Sequence, residues 1–335
     1  MTGAYAHCPA NIKDMVDDDI VNLAKNIDQE IKPDNITLLQ GGFSSQAYKV
    51  APKSGNPFVL LVERKGAVSR SDYGLAYVIY TLLKKHSFKH SPDPLWLSDD
   101  HSALAISYFD GFVSNEFDFA GLDKEQLATQ VIDSLLDTAA ISLEEYKQLA
   151  SEFNVTQNPI ETSKEGARMY GIEWLEIVKR SCPDQDIINW LETRVERSVR
   201  LINQAPEHKP TFGHGDPSNP NILFKANGDF MLIDWGSARF HTSGPEFFVA
   251  YTTHLTDFMG PYRETLIKHV AERLNIPIDE FRDRVNNFRM CSEVFDVNWA
   301  AMMMAKINAK ETDGDINNFR NIAHERIRLY EEDFG

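Results

Sequence analysis

Between Met15 and Ile31 the apolar positions Val16, Ile20, Leu23, Ile27 and Ile31 step by four, three, four and four, which traces one face of an α-helix. Asp17, Asp18 and Asp19 open that helix, where carboxylates favour the positive end of its dipole. The period then shortens. Ile36–Gln40, Ala47–Ala51 and Pro57–Glu63 read as strands, separated by Gly41-Gly42 and by a Pro-Lys-Ser-Gly-Asn turn. Helical spacing returns over Tyr73–Lys85. After the proline-broken connector Ser91–Pro94 come two short runs, Leu95–Ser98 and Ala103–Phe109. An antiparallel sheet carrying one helix therefore accounts for residues 1–111, ending at Gly111.

Beyond Gly111 helical periods dominate, over 112–335. Asp123 with Gln126, and Ser142 with Glu145, have capping-box spacing at helix starts. Further helices are expected at about 163–181, 184–204, 245–259, 262–274, 278–309 and 313–332. The exception is a hairpin: the apolar runs Ile222–Phe224 and Phe230–Ile233 flank the turn Asn227-Gly228-Asp229. The expected fold is α+β, with a sheet-rich part followed by a larger, mainly helical one.

Composition narrows the class. At 335 residues, 42% hydrophobic and 25% charged, the chain has the make-up of a globular protein and not of a disordered adaptor. Its 34 Lys and Arg against 50 Asp and Glu give a net charge of −16, which repels nucleic acid and anionic membranes and tolerates neutral or cationic partners. Cys8, Cys182 and Cys291 are odd in number and widely spaced, which speaks against a disulfide framework or a cysteine zinc site. No apolar stretch is long enough to span a bilayer, and the first residues lack a basic and then apolar leader pattern, so a cytoplasmic location is expected. The longest apolar run past midpoint, Trp299–Ala305, reads as a buried turn of helix.

The chemistry gathers around the hairpin. Before it stands His214-Gly215-Asp216-Pro217-Ser218-Asn219-Pro220-Asn221, and after it Ile233-Asp234-Trp235. Phosphoryl transfer from ATP needs a carboxylate beside the acceptor hydroxyl and oxygen ligands for magnesium; an Asp, an Asn and a second Asp are the residue types that supply them. A hairpin between them brings the loop and the second Asp to neighbouring strand ends.

This array resembles the catalytic loop of the aminoglycoside phosphotransferase and choline kinase family, small-molecule kinases with a bilobal protein-kinase-like fold. The resemblance implies that Asp216 orients the acceptor hydroxyl and takes its proton, that Asn221 and Asp234 are Mg2+ ligands, and that His214 braces the loop. Gly215 stands where protein kinases carry the arginine that reads activation-loop phosphorylation, so that control is not expected. The run Leu39–Val50 is similar to the family's nucleotide loop: Gly41 and Gly42 let the backbone approach phosphates, and Ser44 and Ser45 offer donors. Ala105–Gly111 resembles the segment that joins the lobes and meets the adenine edge. The implied partner is a small molecule with a hydroxyl group. Asp296, Glu293, Trp299 and Trp174 are candidate contacts, a set that would suit an amine.

Three positions depart from the family. Leu61 replaces the third-strand Lys or Arg that holds the α and β phosphates, and Ala76 replaces its partner Glu in the next helix. Losing both leaves no lone charge in the cleft. Lys65 lies too far along the strand to substitute, and Lys49 is the expected replacement. Phe248 occupies an acidic position that usually braces the segment after Asp234. An active phosphotransferase is therefore expected, with a nucleotide-binding pseudokinase of regulatory or scaffold role as the alternative.

Overall fold

The structure, a computed structural model, describes residues 18–39, 45–63, 72–156, 160–312 and 314–335. It is bilobal and α+β, as expected. The first lobe is a five-stranded antiparallel sheet in the order β1-β2-β3-β5-β4, formed by β1 (Ile36–Leu38), β2 (Ser45–Val50), β3 (Phe58–Glu63), β4 (Pro94–Leu97) and β5 (Ala103–Ser107). The period-two alternation of these strands assigns each face its own cover. Tyr48, Val50, Phe58, Leu60, Val62, Ala103 and Ala105 pack with Ile20, Val21 and Ala24 of helix α1 (Asp18–Lys25). Val59, Leu61, Leu104 and Ile106 face the other way, onto Val78, Ile79, Leu82 and Leu83 of α2 (Tyr73–Lys85), in a core continuous with the helical lobe. Helix α1 ends at Lys25 rather than Ile31: the Asn26 side chain bonds back to the Asn22 and Leu23 carbonyls, and Ile31 reaches the same core from the loop. The expected helix start at 15–17, the Gly41-Gly42 turn, Lys65 and Cys8 lie outside the described residues.

The second lobe is built on helices. Among the described residues they are α3 (Lys124–Asp137), α4 (Leu143–Glu152), α5 (Ser163–Gly166), α6 (Trp174–Ser181), α7 (Gln185–Gln204), α8 (Gly244–Leu255), α9 (Arg263–Leu274), α10 (Ile278–Asn308) and α11 (Ile316–Phe334). The Ser142–Glu145 capping box forms at the start of α4. The 31-residue α10 is the axis: it is buried most continuously from Met290 to Ala305, and α6, α7, α8 and α11 pack against it. Its Ala300–Ala305 segment is buried, as expected of the methionine-rich run. Two small sheets complete the lobe. In one, β6 (Phe112–Val113) joins the expected hairpin of β9 (Ile222–Phe224) and β10 (Phe230–Leu232). In the other, β11 (Arg239–His241) runs antiparallel to β8 (Thr211–Gly213) and parallel to β7 (Ile160–Glu161).

Besides the shared core, two contacts join the sheet lobe to the hairpin among the described residues. Gly111 passes so close to the Phe109 ring and the Phe224 carbonyl that a Cβ there would stand 2.6 and 2.9 Å from them. The loop after α2 adds itself to the edge of β10: Leu232 N–H donates to His90 O at 2.8 Å, and the His90 ring stacks on Phe230 at 3.9 Å.

His241, buried against the Phe247 and Phe248 rings, yields a pH prediction. Burial, then the charge of Arg239, pushes its imidazole down to about 3. The unfolded chain takes a proton near the ordinary value of about 6.5 and the native chain does not, so stability is full above that value and falls as pH drops toward 3. Between pH 7 and pH 5 the loss is on the order of 2 kcal/mol for any native value below about 4. Urea unfolding of His241→Gln should therefore show a smaller drop between those two pH values than wild type; equal drops would contradict this account.

Candidate active site

Strand β8 delivers the loop. Its last residue, Gly213, lies under Phe248, whose ring would be 2.1 Å from a Cβ there, so the aromatic side chain itself packs on the strand. His214 follows, fully buried. Its Nε2 lies 2.8 Å from Ile233 O and its Nδ1 3.3 Å from the Asp216 N–H. An Nδ1 that accepts a backbone proton requires the Nε2–H tautomer, and burial, which pushes this imidazole down to about 4, keeps the ring neutral. One ring thus ties the Asp216 loop to the residue preceding Asp234. Trp235 packs against that ring at 4.3 Å and donates its Nε1–H to Leu232 O.

Gly215 is required twice over. Its φ is +81°, and a Cβ would stand 2.1 Å from Ser237 O, so the loop and the segment after Asp234 touch backbone to backbone. Asn221 closes the loop: its Nδ2 donates to Asp216 O at 2.9 Å and to Asp216 Oδ2 at 3.1 Å. The hairpin register sets Leu232 opposite Ile222, and Ile233 N–H donates to Asn221 O, so Asp234 emerges beside Asn221. Asp234 itself has left-handed backbone, φ 57° and ψ 60°, a strained state for a non-glycine residue that recurs at functional turns.

The electrostatics fit a cation. Burial, then the charges of Asp234 and Asp296, push the Asp216 carboxyl up to about 6 against the pull of hydrogen bonds from Ser218 and Asn221. Burial also raises Asp234, offset by the Gly236 N–H. The Asp234 carboxylate and the Asn221 amide oxygen are donors of the hard-oxygen type that Mg2+ takes together with phosphate oxygens, and Asp216 stands beside them. Among the described residues no group of three or more His, Cys, Asp and Glu side chains is placed to hold a metal ion.

The other expected residues divide. Gly41, Gly42 and Ser44 lie outside the described residues. Ser45 opens β2, and its Oγ accepts from the Tyr73 hydroxyl of α2 at 2.9 Å. Lys49 is four residues further along, about 13 Å at strand rise. It shares a face with Leu61 and Val59, and its Nζ sits 4.0 Å from the Tyr108 ring centroid, at the interlobe end of the strand and apart from Ser45. Leu61 is half-buried and Ala76 buried in the core between sheet and α2. On the helical side, His254 bridges Glu293 and Asp296, each at 2.8 Å. Burial alone would lower this imidazole, but the two carboxylates overcome that and hold it above its ordinary range. Asp296 thus lies toward Asp216, Glu293 pairs with His254 on its other ring nitrogen, Trp174 stands edge-on to Tyr170, and Trp299 packs edge-on against Phe319. The residues that sequence reasoning missed are tyrosines. Tyr80 of α2 feels the charge of Asp234 and hydrogen-bonds its backbone, and Tyr251 feels Asp216 and Asp296. For Tyr80 the available signal was the spacing of Tyr73, Tyr77 and Tyr80 on one helix face.

The sequence profile of the phosphotransferase enzyme family matches residues 35–277. No curated protein matches the chain. Among solved structures it is similar to the GDP complex of aminoglycoside 2'-phosphotransferase-IIIa, with a TM-score of 0.61 and 17% identity over 93% of this chain and 96% of that one. It is also similar to choline kinase from Cryptosporidium parvum, with a TM-score of 0.63 and 14% identity over 93% and 94%. A third is Plasmodium vivax ethanolamine kinase, with a TM-score of 0.62 and 13% identity over 91% and 86%.

Gly215→Ala tests the backbone contact that sets this geometry. The added methyl cannot fit against Ser237 O and carries a positive φ, so the variant should lose on the order of 2–4 kcal/mol of unfolding free energy in urea. A loss under about 0.5 kcal/mol would mean that the loop and the Asp234 turn do not touch.

Proposed function

The chain belongs to the phosphotransferase enzyme family, and from that premise we propose that it moves the γ-phosphoryl group of ATP to a hydroxyl of a small molecule. The observation that carries the reading is the Asn221 amide bonded to Asp216 at one end of a hairpin whose other strand runs directly into Asp234. In this reading residues 1–111 bind the nucleotide and 112–335 supply the catalytic loop and the acceptor site. We propose a cytoplasmic location, where ATP and small hydroxyl acceptors are both at hand.

Asp216 is the acceptor-side base. A carboxyl held near 6 is ionised at neutral pH and still basic enough to take a proton as the hydroxyl attacks. The acceptor oxygen bonds to the γ-phosphorus, the bond to the β-phosphate oxygen breaks, ADP leaves, and the acceptor's proton passes to Asp216. Asn221, whose N–H groups are turned to Asp216, offers its Oδ1, and Asp234 its carboxylate, to the cation. Mg2+, when bound, neutralises phosphate charge. On the nucleotide side the family motif assigns Gly41, Gly42, Ser44 and Ser45 to the phosphates, and Lys49, seated on Tyr108, is toward the base. The named relatives suggest an aminoglycoside, choline or ethanolamine as acceptor, and a sugar-like alcohol is a further candidate. The acidic Asp216–Asp296 side favours one that carries an amine.

Leu61 and Ala76 favour a second reading, a nucleotide-binding pseudokinase. Without the charged clamp the triphosphate loses a contact of very roughly 1.5–3 kcal/mol, about tenfold or more in affinity. Turnover separates the two. ADP release should be measured with Mg2+ and ATP, and with GTP in parallel, against kanamycin, choline, ethanolamine and a sugar panel. Wild type should turn over one of them, and Asp216→Asn should slow it by about a hundredfold or more with MgATP affinity little changed. Wild-type turnover by Asp216→Asn would remove the assigned role; MgATP binding with no turnover of any acceptor would favour the pseudokinase.

A further inference from the structure

The helical run expected over 163–181 is continuous, but between Ala167 and Glu173 it widens into a π-turn. Such a turn carries an extra residue and strains the helical hydrogen-bond ladder, and it appears chiefly where function calls for it. Here one side chain holds it. Asn298 of α10 donates its Nδ2 to Tyr170 O at 2.7 Å and to Gly171 O at 2.8 Å. Asn298 is fully buried in the middle of the central helix, and its Oδ1 has no hydrogen-bond partner among the described residues. A buried, half-satisfied amide weakens an otherwise apolar core, so its contribution lies in what it fixes. Gly171 permits the close approach: a Cβ there would be 2.6 Å from Val199 and 3.2 Å from Phe295.

The turn aims Tyr170. Its hydroxyl donates to Glu161 Oε2 at 3.1 Å, the same oxygen that accepts Arg239 Nη1 at 2.7 Å, and its ring stands edge-on to Trp174 at 4.9 Å. Arg239 Nε donates in turn to Ser237 O, the carbonyl against which Gly215 packs. The bonds from Tyr170 through Glu161 and Arg239 to Ser237 O thus run from the π-turn to the backbone on which the Asp216 loop rests.

We propose that Asn298 is a positioning residue for the acceptor: it holds the π-turn, and the π-turn presents the Tyr170–Trp174 pair as the wall against which the acceptor packs beside Asp216. The proposal rests on the phosphotransferase reading and deepens it, because it ties acceptor recognition to a device remote from the nucleotide. With its hydroxyl committed to Glu161, Tyr170 offers an aromatic surface and no donor, so the wall selects by shape.

The test is steady-state kinetics on the whole chain, using whichever of kanamycin, choline, ethanolamine or the sugar panel supports ADP release. Asn298→Ala should raise the acceptor KM about tenfold or more, with kcat and the KM for MgATP within about threefold. Tyr170→Leu leaves the Asn298 bonds to backbone carbonyls in place and should raise the acceptor KM likewise, which decides the matter if Asn298→Ala does not fold. Tyr170→Phe keeps the ring and should restore most of the wild-type acceptor KM. An unchanged acceptor KM in the folded variants, or KM values for acceptor and MgATP that rise together, would overturn the proposal and leave the phosphotransferase reading intact. A wild type that releases no ADP with any acceptor would overturn that reading, and the proposal with it.

Discussion

The neutral imidazole of His214 is the joint on which the site depends. Its Nε2–H reaches Ile233 O and its Nδ1 receives the Asp216 N–H, so one rigid ring sets the spacing between two segments that the hairpin alone brings only into the same neighbourhood. A second proton on the ring would remove the Nδ1 acceptor, and complete burial prevents it by holding the group near 4. The neighbouring contacts enforce the same spacing from other directions: Trp235 against the ring, Gly215 against Ser237 O, and Phe248 over Gly213. Asp216, Asn221 and Asp234 are then held close enough for each carboxylate to feel its surroundings, and burial with mutual repulsion leaves a negative site suited to a cation.

The sheet lobe reaches this centre without the ion pair usual in the family, as Leu61 and Ala76 in the sequence led one to expect. Leu61 and Ala76 fill their places as packing residues, and α2 is tied instead through hydroxyl groups, Tyr73 to Ser45 and Tyr80 to the backbone at Asp234. Neutral hydrogen bonds contribute about 0.5–1.5 kcal/mol each, less than charge-assisted ones, but removing both charges avoids the larger cost of burying one alone. The interlobe segment carries cations on its aromatic faces from both sides, Lys49 on Tyr108 and Lys225 on Phe109. These contacts set how the sheet and the hairpin meet across Gly111.

Much of this was legible in the residue pattern because long elements repeat their period many times. The α10 helix runs from Ile278 to Asn308 almost as its apolar spacing requires, and the hairpin stands where Asn227-Gly228-Asp229 puts it. Strands of two or three residues, such as β6, β7, β8 and β11, have too few positions to alternate, and their pairing is decided by tertiary neighbours. The π-turn was hidden for a similar reason: one extra residue over Ala167–Glu173 barely changes the apolar period, and the partner that holds it, Asn298, is more than a hundred residues away. Lys49 illustrates a subtler limit. Alternation gives the face on which a side chain lies, but its position along the cleft depends on where Tyr108 comes to rest. Similarly, the roles of Tyr73 and Tyr80 follow from what α2 faces, which no local pattern states.

The central claim is that the Asp216 loop and the Asp234 turn form one site for a divalent cation and a triphosphate. Electron paramagnetic resonance of Mn2+, titrated into the protein with and without AMP-PNP, measures that directly. The account predicts that Mn2+ binds tightly only when the nucleotide is present, and that Asn221→Ala and Asp234→Ala each weaken this binding by about tenfold or more while nucleotide-free Mn2+ binding stays weak. Mn2+ binding that is independent of AMP-PNP, or that survives unchanged in both variants, would contradict it.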